Sequence, residues 1–284
     1  MGKGEIYIMD RDKENAQLLK YPVLLVHGMG FRDRKYLNYW GRIPRALEKD
    51  GVRIFYGGQD SSGSVEGNAA CLAEKIRKTA RENNIQKFNV IAHSKGGLDI
   101  RYAISTLKIN DLIASVTTIN TPHNGSYTVD KLLKIPDLLV KFGCRMTDLW
   151  FRVLGDRMPE TYKAIKAFET VNAEEFNRNN PDDPDIYYQS YAFTCKKITG
   201  DMFLWFTNLV VRLIEGENDG LLTVRAVKWS NFRGHFTGVK GRGISHCDEV
   251  DVRRRPVLVD MGDRSLDIPD VYREIVRELG QMGF

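Results

Sequence analysis

Short apolar segments alternate with amphipathic segments along the first half of the chain. Apolar runs at 23–26, 52–56, 88–92 and 112–119 are typical of strands that are buried on both faces of a sheet. The intervening segments 38–50, 68–83 and 96–107 carry their apolar residues at helical spacing. This alternation predicts an α/β fold in which a mostly parallel sheet is flanked by helices on both faces.

The alternation stops between Ser126 and Asp185 and then resumes. The segment from Asp130 to Gly155 has more apolar side chains than one docked helix needs. A strand pattern returns at 187–193, and Pro269 begins a last amphipathic helix. We therefore interpret residues 1–284 as a single domain with an inserted helical cap, or lid, at about 126–185.

Composition places the chain among ordinary globular proteins. Of its 284 residues, 42% are hydrophobic and 28% are charged, which excludes disordered and fibrous classes. The net charge of +5 is too small to indicate a nucleic-acid-binding protein. The basic run Arg253–Arg255 is interpreted as a solvated or salt-bridged patch.

Signals for targeting and for metal or disulfide frameworks are weak. The first twenty residues lack the apolar core of a signal peptide, and the apolar stretch 202–214 is shorter than a membrane-spanning helix. The chain as given is thus expected in the cytoplasm, or else is a secreted mature form. Its four cysteines show no CxxC spacing, so we expect free thiols, and no histidine pair has metalloprotease spacing.

The segment Ala92-His93-Ser94-Lys95-Gly96 has the pattern of a nucleophile elbow. Such a turn between a strand and a helix exposes the serine at its tip. Ala92 and Gly96 are both small, and we expect that the tight turn requires this because larger side chains at these two positions would clash. A second glycine turn, which includes Met29, follows the first strand, and the backbone N–H groups of Met29 and Lys95 are then the expected oxyanion donors. By itself, that second segment is more typical of a plain glycine turn after a strand.

An acidic residue and then a histidine follow the elbow along the chain. Asp219 lies in the loop Glu217-Asn218-Asp219-Gly220, a pattern also typical of an ordinary turn, and His246 lies in a late glycine-containing loop. The order Ser94, Asp219, His246 is that of the α/β-hydrolase triad. His27, His93 and His123 are interpreted as structural, and His235 is expected to lack a nearby carboxylate.

Taken together, these motifs resemble the bacterial true lipases, the triacylglycerol lipase family of the α/β-hydrolase fold, over about residues 20–275. Within this family, the motifs are most similar to those of clostridial and other Firmicutes lipases and of the lid-bearing lipases of Gram-negative bacteria. The segments that carry the resemblance are 21–29, 92–97, 121–126, 218–221 and 245–250.

The resemblance implies a serine carboxylester hydrolase that acts on acylglycerols at a lipid–water interface. It assigns Ser94 as nucleophile, His246 as general base and acid, and Asp219 as the orienting carboxylate. It places a lid after Ser126. No cofactor is required for the chemistry, but the resemblance implies a structural calcium ion held by Asp201 and Asp248.

Other functions remain open at this stage. An acyltransferase or a thioesterase uses the same triad, and a non-catalytic binding protein can share the fold. No nucleic-acid partner is expected. The sequence leaves the oligomeric state undecided.

Overall fold

In a computed structural model, which describes residues 18–30, 32–33 and 38–284, eight strands form one sheet. Its strand order is β2-β1-β3-β4-β5-β6-β7-β8, with β1 to β6 parallel and β7 and β8 antiparallel. The strands are β1 (Val23–Val26), β2 (Ile54–Tyr56), β3 (Phe88–His93), β4 (Ile113–Ile119), β5 (Tyr187–Thr194), β6 (Asn231–Gly238), β7 (Leu258–Asp260) and β8 (Ser265–Asp267). The predicted fold class is confirmed.

Helices cover both faces of this sheet. They are α1 (Ile43–Lys49), α2 (Val65–Asn83), α3 (Gly96–Ser105), α4 (Tyr127–Leu132), α5 (Asp137–Val153), α6 (Thr161–Lys166), α7 (Thr170–Asn179), α8 (Trp205–Ile214), α9 (Val224–Val227) and α10 (Ile268–Gln281). Single 3-10 turns occupy Asn110–Leu112, Ile198–Gly200 and Val239–Gly241. None of the helices in the described residues is long and apolar enough to cross a bilayer.

The first helix begins later than the apolar pattern predicted. The sequence predicted a helix over 38–50, but residues 39–42 form turns and α1 begins at Ile43. Pro44 explains the difference, because proline lacks an N–H group and fits only the first turn of a helix.

Alternate residues of the strands enter two separate cores. Val23 and Leu25 of β1 pack into the core that lies under α1 and α10. Leu24 and Val26 pack into the opposite core, under α2 and α3. Because successive strand side chains point to opposite faces, a fully apolar β1 is what a sheet covered on both sides requires.

The helices that break the alternation lie beyond the carboxyl ends of β4 and β5. Helices α4 to α7 connect β4 to β5, in the segment predicted to be inserted, and α8 and α9 connect β5 to β6. In a parallel sheet the carboxyl ends of the strands share one edge, and ligands bind there. The division into one domain with an insertion at 126–185 stays a prediction.

Candidate active site

Ser94 lies at the sharp turn between β3 and α3. Its φ angle is +53°, a left-handed conformation that is rare for serine and that this tight turn imposes. Glycines allow the turn to pack closely. A Cβ atom at Gly28 would lie 2.6 Å from Cβ of Ser94, and one at Gly96 would lie 2.4 Å from the carbonyl oxygen of His27. A residue larger than glycine at position 96 would thus collide with the backbone at the end of β1.

Asp219 and His246 are brought together by two loops that follow β5 and β6. His246 Nδ1 lies 2.7 Å from Asp219 Oδ2, and the His246 backbone N–H donates to the Asp219 carbonyl oxygen at 2.9 Å. The backbone N–H groups of Leu221 and Leu222 donate to Asp219 Oδ1. These hydrogen bonds fix the position of the imidazole relative to the carboxylate.

The Asp219 carboxyl group is buried but ionised. Burial alone would raise its pKa, but the neighbouring His246 and the hydrogen bonds from His246, Asn120 and Leu222 bring the pKa below the ordinary value of 3.8. An ionised carboxylate on Nδ1 orients the ring and leaves Nε2 available for proton transfer.

Ser94 and His246 line one apolar cavity. Each of these residues is only 8% exposed, and the cavity has a volume of about 530 Å³. Its other walls come mainly from α4 and α8 and are largely apolar. They include Met29, Val129, Leu132, Ile135, Phe168, Phe206, Val210, Val211, Ile214, Leu221 and Leu222. The cavity is suited to an acyl chain whose carbonyl group reaches the serine.

Of the two predicted oxyanion donors, Met29 lines this cavity and Lys95 directly follows Ser94 in the chain. Among the described residues, none accepts a hydrogen bond from the backbone N–H of Met29 or Lys95. Lys95 is the cap residue of α3, so its amide lies at the positive end of the helix dipole. The Lys95 ammonium group is buried against the Asp99 carboxylate, 2.5 Å away. The side chain is therefore structural, and only the amide is a candidate donor.

A second buried carboxyl group, which the sequence analysis missed, lies beside the histidine. The ring nitrogen His93 Nε2 lies 2.8 Å from Glu249 Oε2, and His93 Nδ1 lies 2.6 Å from the Tyr39 hydroxyl. Asn120 Nδ2 donates to both carboxyl groups, at 2.6 Å to Asp219 and 2.9 Å to Glu249. The available signal was spacing, since Glu249 follows His246 by three residues.

Burial determines the protonation states of Glu249 and His93. It raises the pKa of Glu249 well above 4.5, and the nearby negative charge of Asp219 raises it further. Burial and the neighbouring His246 lower the pKa of His93 well below 6.5. We assign a neutral Glu249 that donates its proton to a neutral His93. His93, His246 and Glu249 are residue types that can bind a metal ion. However, His93 and Glu249 are already hydrogen-bonded to each other.

The remaining histidines have structural partners. His27 contacts the Gln59 backbone carbonyl, and His123 Nε2 lies 3.0 Å from the Thr118 hydroxyl. The expectation for His235 was wrong. Its Nε2 lies 2.7 Å from the Thr194 hydroxyl and 4.0 Å from the Glu217 carboxylate, which the return from β5 to β6 brings near.

The structure also brings Asp201 and Asp248 together, but around an arginine. Both carboxylates are almost fully buried, and Arg253 contacts both of them. Calcium requires six to eight oxygen ligands, and these oxygens are already engaged by nitrogen donors and Ser245. With Arg253 in place, the two aspartates do not fit a calcium ion. All four cysteines are free thiols.

Comparison with known proteins gives one family match and several relatives. The profile of the palmitoyl protein thioesterase family matches residues 22–192. Triacylglycerol lipase 2 of Saccharomyces cerevisiae is 27% identical, over 89% of this chain and 78% of the yeast protein. A triacylglycerol lipase of Pseudarthrobacter phenanthrenivorans is 34% identical, over 57% of this chain and 54% of that enzyme. The chain thus spans only about half the length of this bacterial relative.

A solved structure supports the same fold. The mature lipase BlEst2 of Bacillus licheniformis superposes with a TM-score of 0.64 at 19% identity, over 90% of this chain and 92% of that chain. The resemblance to lipases is confirmed, and the protein is an ester hydrolase of the α/β-hydrolase fold. Since the matched profile covers more than half of the residues, the chain belongs to the palmitoyl protein thioesterase family.

Proposed function

We propose that this protein is a lipase that hydrolyses acylglycerol esters, with Ser94, His246 and Asp219 as its catalytic triad. The observation that carries the proposal is that Ser94 and His246 line one apolar cavity of about 530 Å³, and that His246 Nδ1 lies 2.7 Å from the buried Asp219 carboxylate. The triacylglycerol lipases among its relatives support an acylglycerol as the substrate.

In this mechanism, Ser94 Oγ attacks the ester carbonyl carbon while His246 Nε2 takes its proton. The backbone N–H groups of Met29 and Lys95 stabilise the oxyanion of the tetrahedral intermediate. The protonated His246 then gives its proton to the leaving alcohol, which leaves Ser94 acylated. A water molecule, deprotonated by His246, attacks the acyl-enzyme and releases the fatty acid. Asp219 remains ionised throughout and stabilises the imidazolium.

The apolar face of α5 supports a substrate presented at a lipid surface. Leu138, Phe142 and Val153 are 79%, 66% and 74% exposed. Such a helix is suited to lie on a lipid–water interface with its apolar side in the acyl layer. We propose that α5 belongs to a lid that meets the substrate there.

Substitution of Ser94 tests the function directly. We expect Ser94→Ala to reduce turnover of p-nitrophenyl esters by about 10⁴-fold or more, because the nucleophile is lost. The variant should keep its melting temperature and should no longer react with a fluorophosphonate probe. Ser265→Ala, at an exposed position in β8, is the matched control and should behave as the wild type. Undiminished turnover in Ser94→Ala would refute the assignment, and an unlabelled wild type would favour a non-catalytic binding protein.

A thioesterase is the second candidate, favoured by the family profile that matches residues 22–192. The same triad can attack a thioester, so geometry alone does not separate the two. Oxygen esters and thioesters of the same acyl chain should be compared at equal concentration. A higher kcat/KM for the thioester would replace the lipase proposal. Recovery of the acyl group on an added alcohol, rather than as free acid, would instead indicate an acyltransferase.

A further inference from the structure

Two buried aspartates lie under the loop that carries His246. The side chains of Asp201 and Asp248 are only 2% and 1% exposed. They share the Ser245 hydroxyl, which lies 2.6 Å from Asp201 Oδ2 and 2.9 Å from Asp248 Oδ2. Two carboxylates that are this close together and shielded from water repel each other, so they need positive charge beside them.

Arg253 supplies that charge to both aspartates at once. Its Nη2 lies 2.7 Å from Asp201 Oδ1, and its Nη1 lies 3.2 Å from Asp248 Oδ1. Arg242 adds a second cation, with Nη2 at 2.9 Å from Asp248 Oδ2. A planar guanidinium is suited to bridging two carboxylates, and it stays protonated at every working pH.

The remaining contacts leave little for another cation. The backbone N–H groups of Phe203 and Leu204 donate to Asp201 Oδ1, and the Ser245 N–H donates to Asp248 Oδ2. A divalent ion between the carboxylates would have to displace Arg253 or lie against its charge. The structure thus has a cation of its own at the position where the sequence resemblance implied calcium.

We propose that the Arg253 guanidinium takes the place of a calcium ion, binding Asp201 and Asp248 together and thereby fixing the His246 loop without metal. The path to the histidine is short. Asp248 accepts from the backbone and hydroxyl of Ser245, and Ser245 directly precedes His246. Arg253 is thus a positioning residue. Its effect on turnover rests on the proposed role of His246, whereas its effects on stability and metal binding do not.

The test compares melting temperatures with calcium and with a chelator. We expect the wild type to melt at the same temperature in both. Arg253→Ala should melt about 5 °C or more lower in chelator, because it leaves buried carboxylates unpaired. Calcium should partly restore the melting temperature and bind measurably by calorimetry, because loss of Arg253 leaves Asp248 Oδ1 without its donor and Asp201 Oδ1 without its cation. Arg255→Ala, an exposed neighbour in the same basic run, is the matched control and should show neither effect.

Turnover of a soluble ester gives a second reading. We expect Arg253→Ala to lower kcat more than KM, by about tenfold, and calcium to restore kcat. The kcat of Arg253→Lys should lie between those of the wild type and Arg253→Ala. The lysine variant also provides the test if the alanine variant does not fold. Stabilisation of the wild type by calcium would overturn the proposal. A loss of stability in Arg253→Ala that calcium does not restore would also overturn it, because Arg253 would then be an ion-pair partner only.

Discussion

His246 lies between two carboxyl groups that carry different charges. Asp219 Oδ2 is 2.7 Å from His246 Nδ1, and Glu249 Oε2 is 3.7 Å from the same nitrogen. Two adjacent buried carboxylates cannot both ionise at low cost, so their pKa values are driven apart. Four backbone and side-chain donors select Asp219 as the anion, while Glu249 keeps its proton and faces His93. The imidazole therefore meets a single negative charge.

The neutral Glu249 makes a prediction about stability and pH. Below pH 4.5 the folded and unfolded chains both hold the Glu249 proton. As the pH rises through 4.5 the unfolded chain releases it, while burial keeps the pKa high in the folded protein. The folded state therefore loses stability as the pH rises, and Glu249→Gln removes that loss. We expect the melting temperature of the variant to rise relative to that of the wild type by roughly 2–3 °C per pH unit above pH 4.5.

Thermal melting across a pH series measures this gain. Glu82→Gln, at an exposed position in α2, is the matched control and should follow the wild-type curve. A constant difference between Glu249→Gln and the wild type at all pH values would show that Glu249 ionises normally in the folded protein.

At the scale of residues, chain order predicted more of the site than local chemistry did. Ser94, Asp219 and His246 were selected because their three motifs occur in the chain order of the α/β-hydrolase triad. Glu249 and Asn120 were missed, because a buried carboxyl group is recognised only by what surrounds it. The arginine between Asp201 and Asp248 was missed for the same reason, since Arg253 reads as a surface residue in a basic run.

Helix α5 is amphipathic as predicted, yet its apolar face is not buried against the described residues. Leu138, Phe142, Leu149 and Trp150 are each more than half exposed, while Cys144 is buried. An uncovered apolar face this long is typical of surfaces that bind another apolar partner, and it supports the proposed contact of α5 with lipid. These exposures do not favour a helix that is docked on the rest of the described residues by its apolar face.

A charge on α5 tests whether that partner is lipid. We expect Phe142→Asp to lower turnover of an emulsified long-chain acylglycerol by about tenfold or more, because a buried phenyl ring contributes roughly 1.5–3 kcal/mol to binding. Turnover of a dissolved short-chain ester should stay within about twofold, since Phe142 does not line the cavity of Ser94.

The comparison needs an exposed apolar residue on another helix. Val171→Asp in α7, where the side chain is 63% exposed, is the matched control and should affect neither substrate. Equal losses on both substrates in Phe142→Asp would indicate a folding defect, and no loss on either would remove α5 from the interface.

Elements with strong periodicity were predicted, and weak ones were not. Strands β3 and β4 are buried along their whole length, so their apolar runs are clear. Strand β6 is half-exposed and contains Arg233, Gly234 and His235, so its sequence lacks that signal. Strands β7 and β8 have three residues each, which is too short for a period to show.

Among the described residues, the two largest hydrophobic cores lie on opposite faces of the sheet. Ile275 of α10 belongs to the core with α1, and Ile76 of α2 belongs to the opposite core, and both are almost fully buried. Because the same strands supply alternate side chains to both cores, loss of either core exposes the sheet. The predicted single domain should therefore unfold as one cooperative unit.

Substitutions in each core test that cooperativity by calorimetry. We expect Ile275→Ala and Ile76→Ala each to cost about 2–5 kcal/mol and to lower one shared melting transition by roughly 3–8 °C. Leu213→Ala, whose side chain is 78% exposed on α8, is the matched control and should leave the transition in place. Two transitions, each moved by only one of the core variants, would contradict a single domain, because the two faces of the sheet would then melt independently.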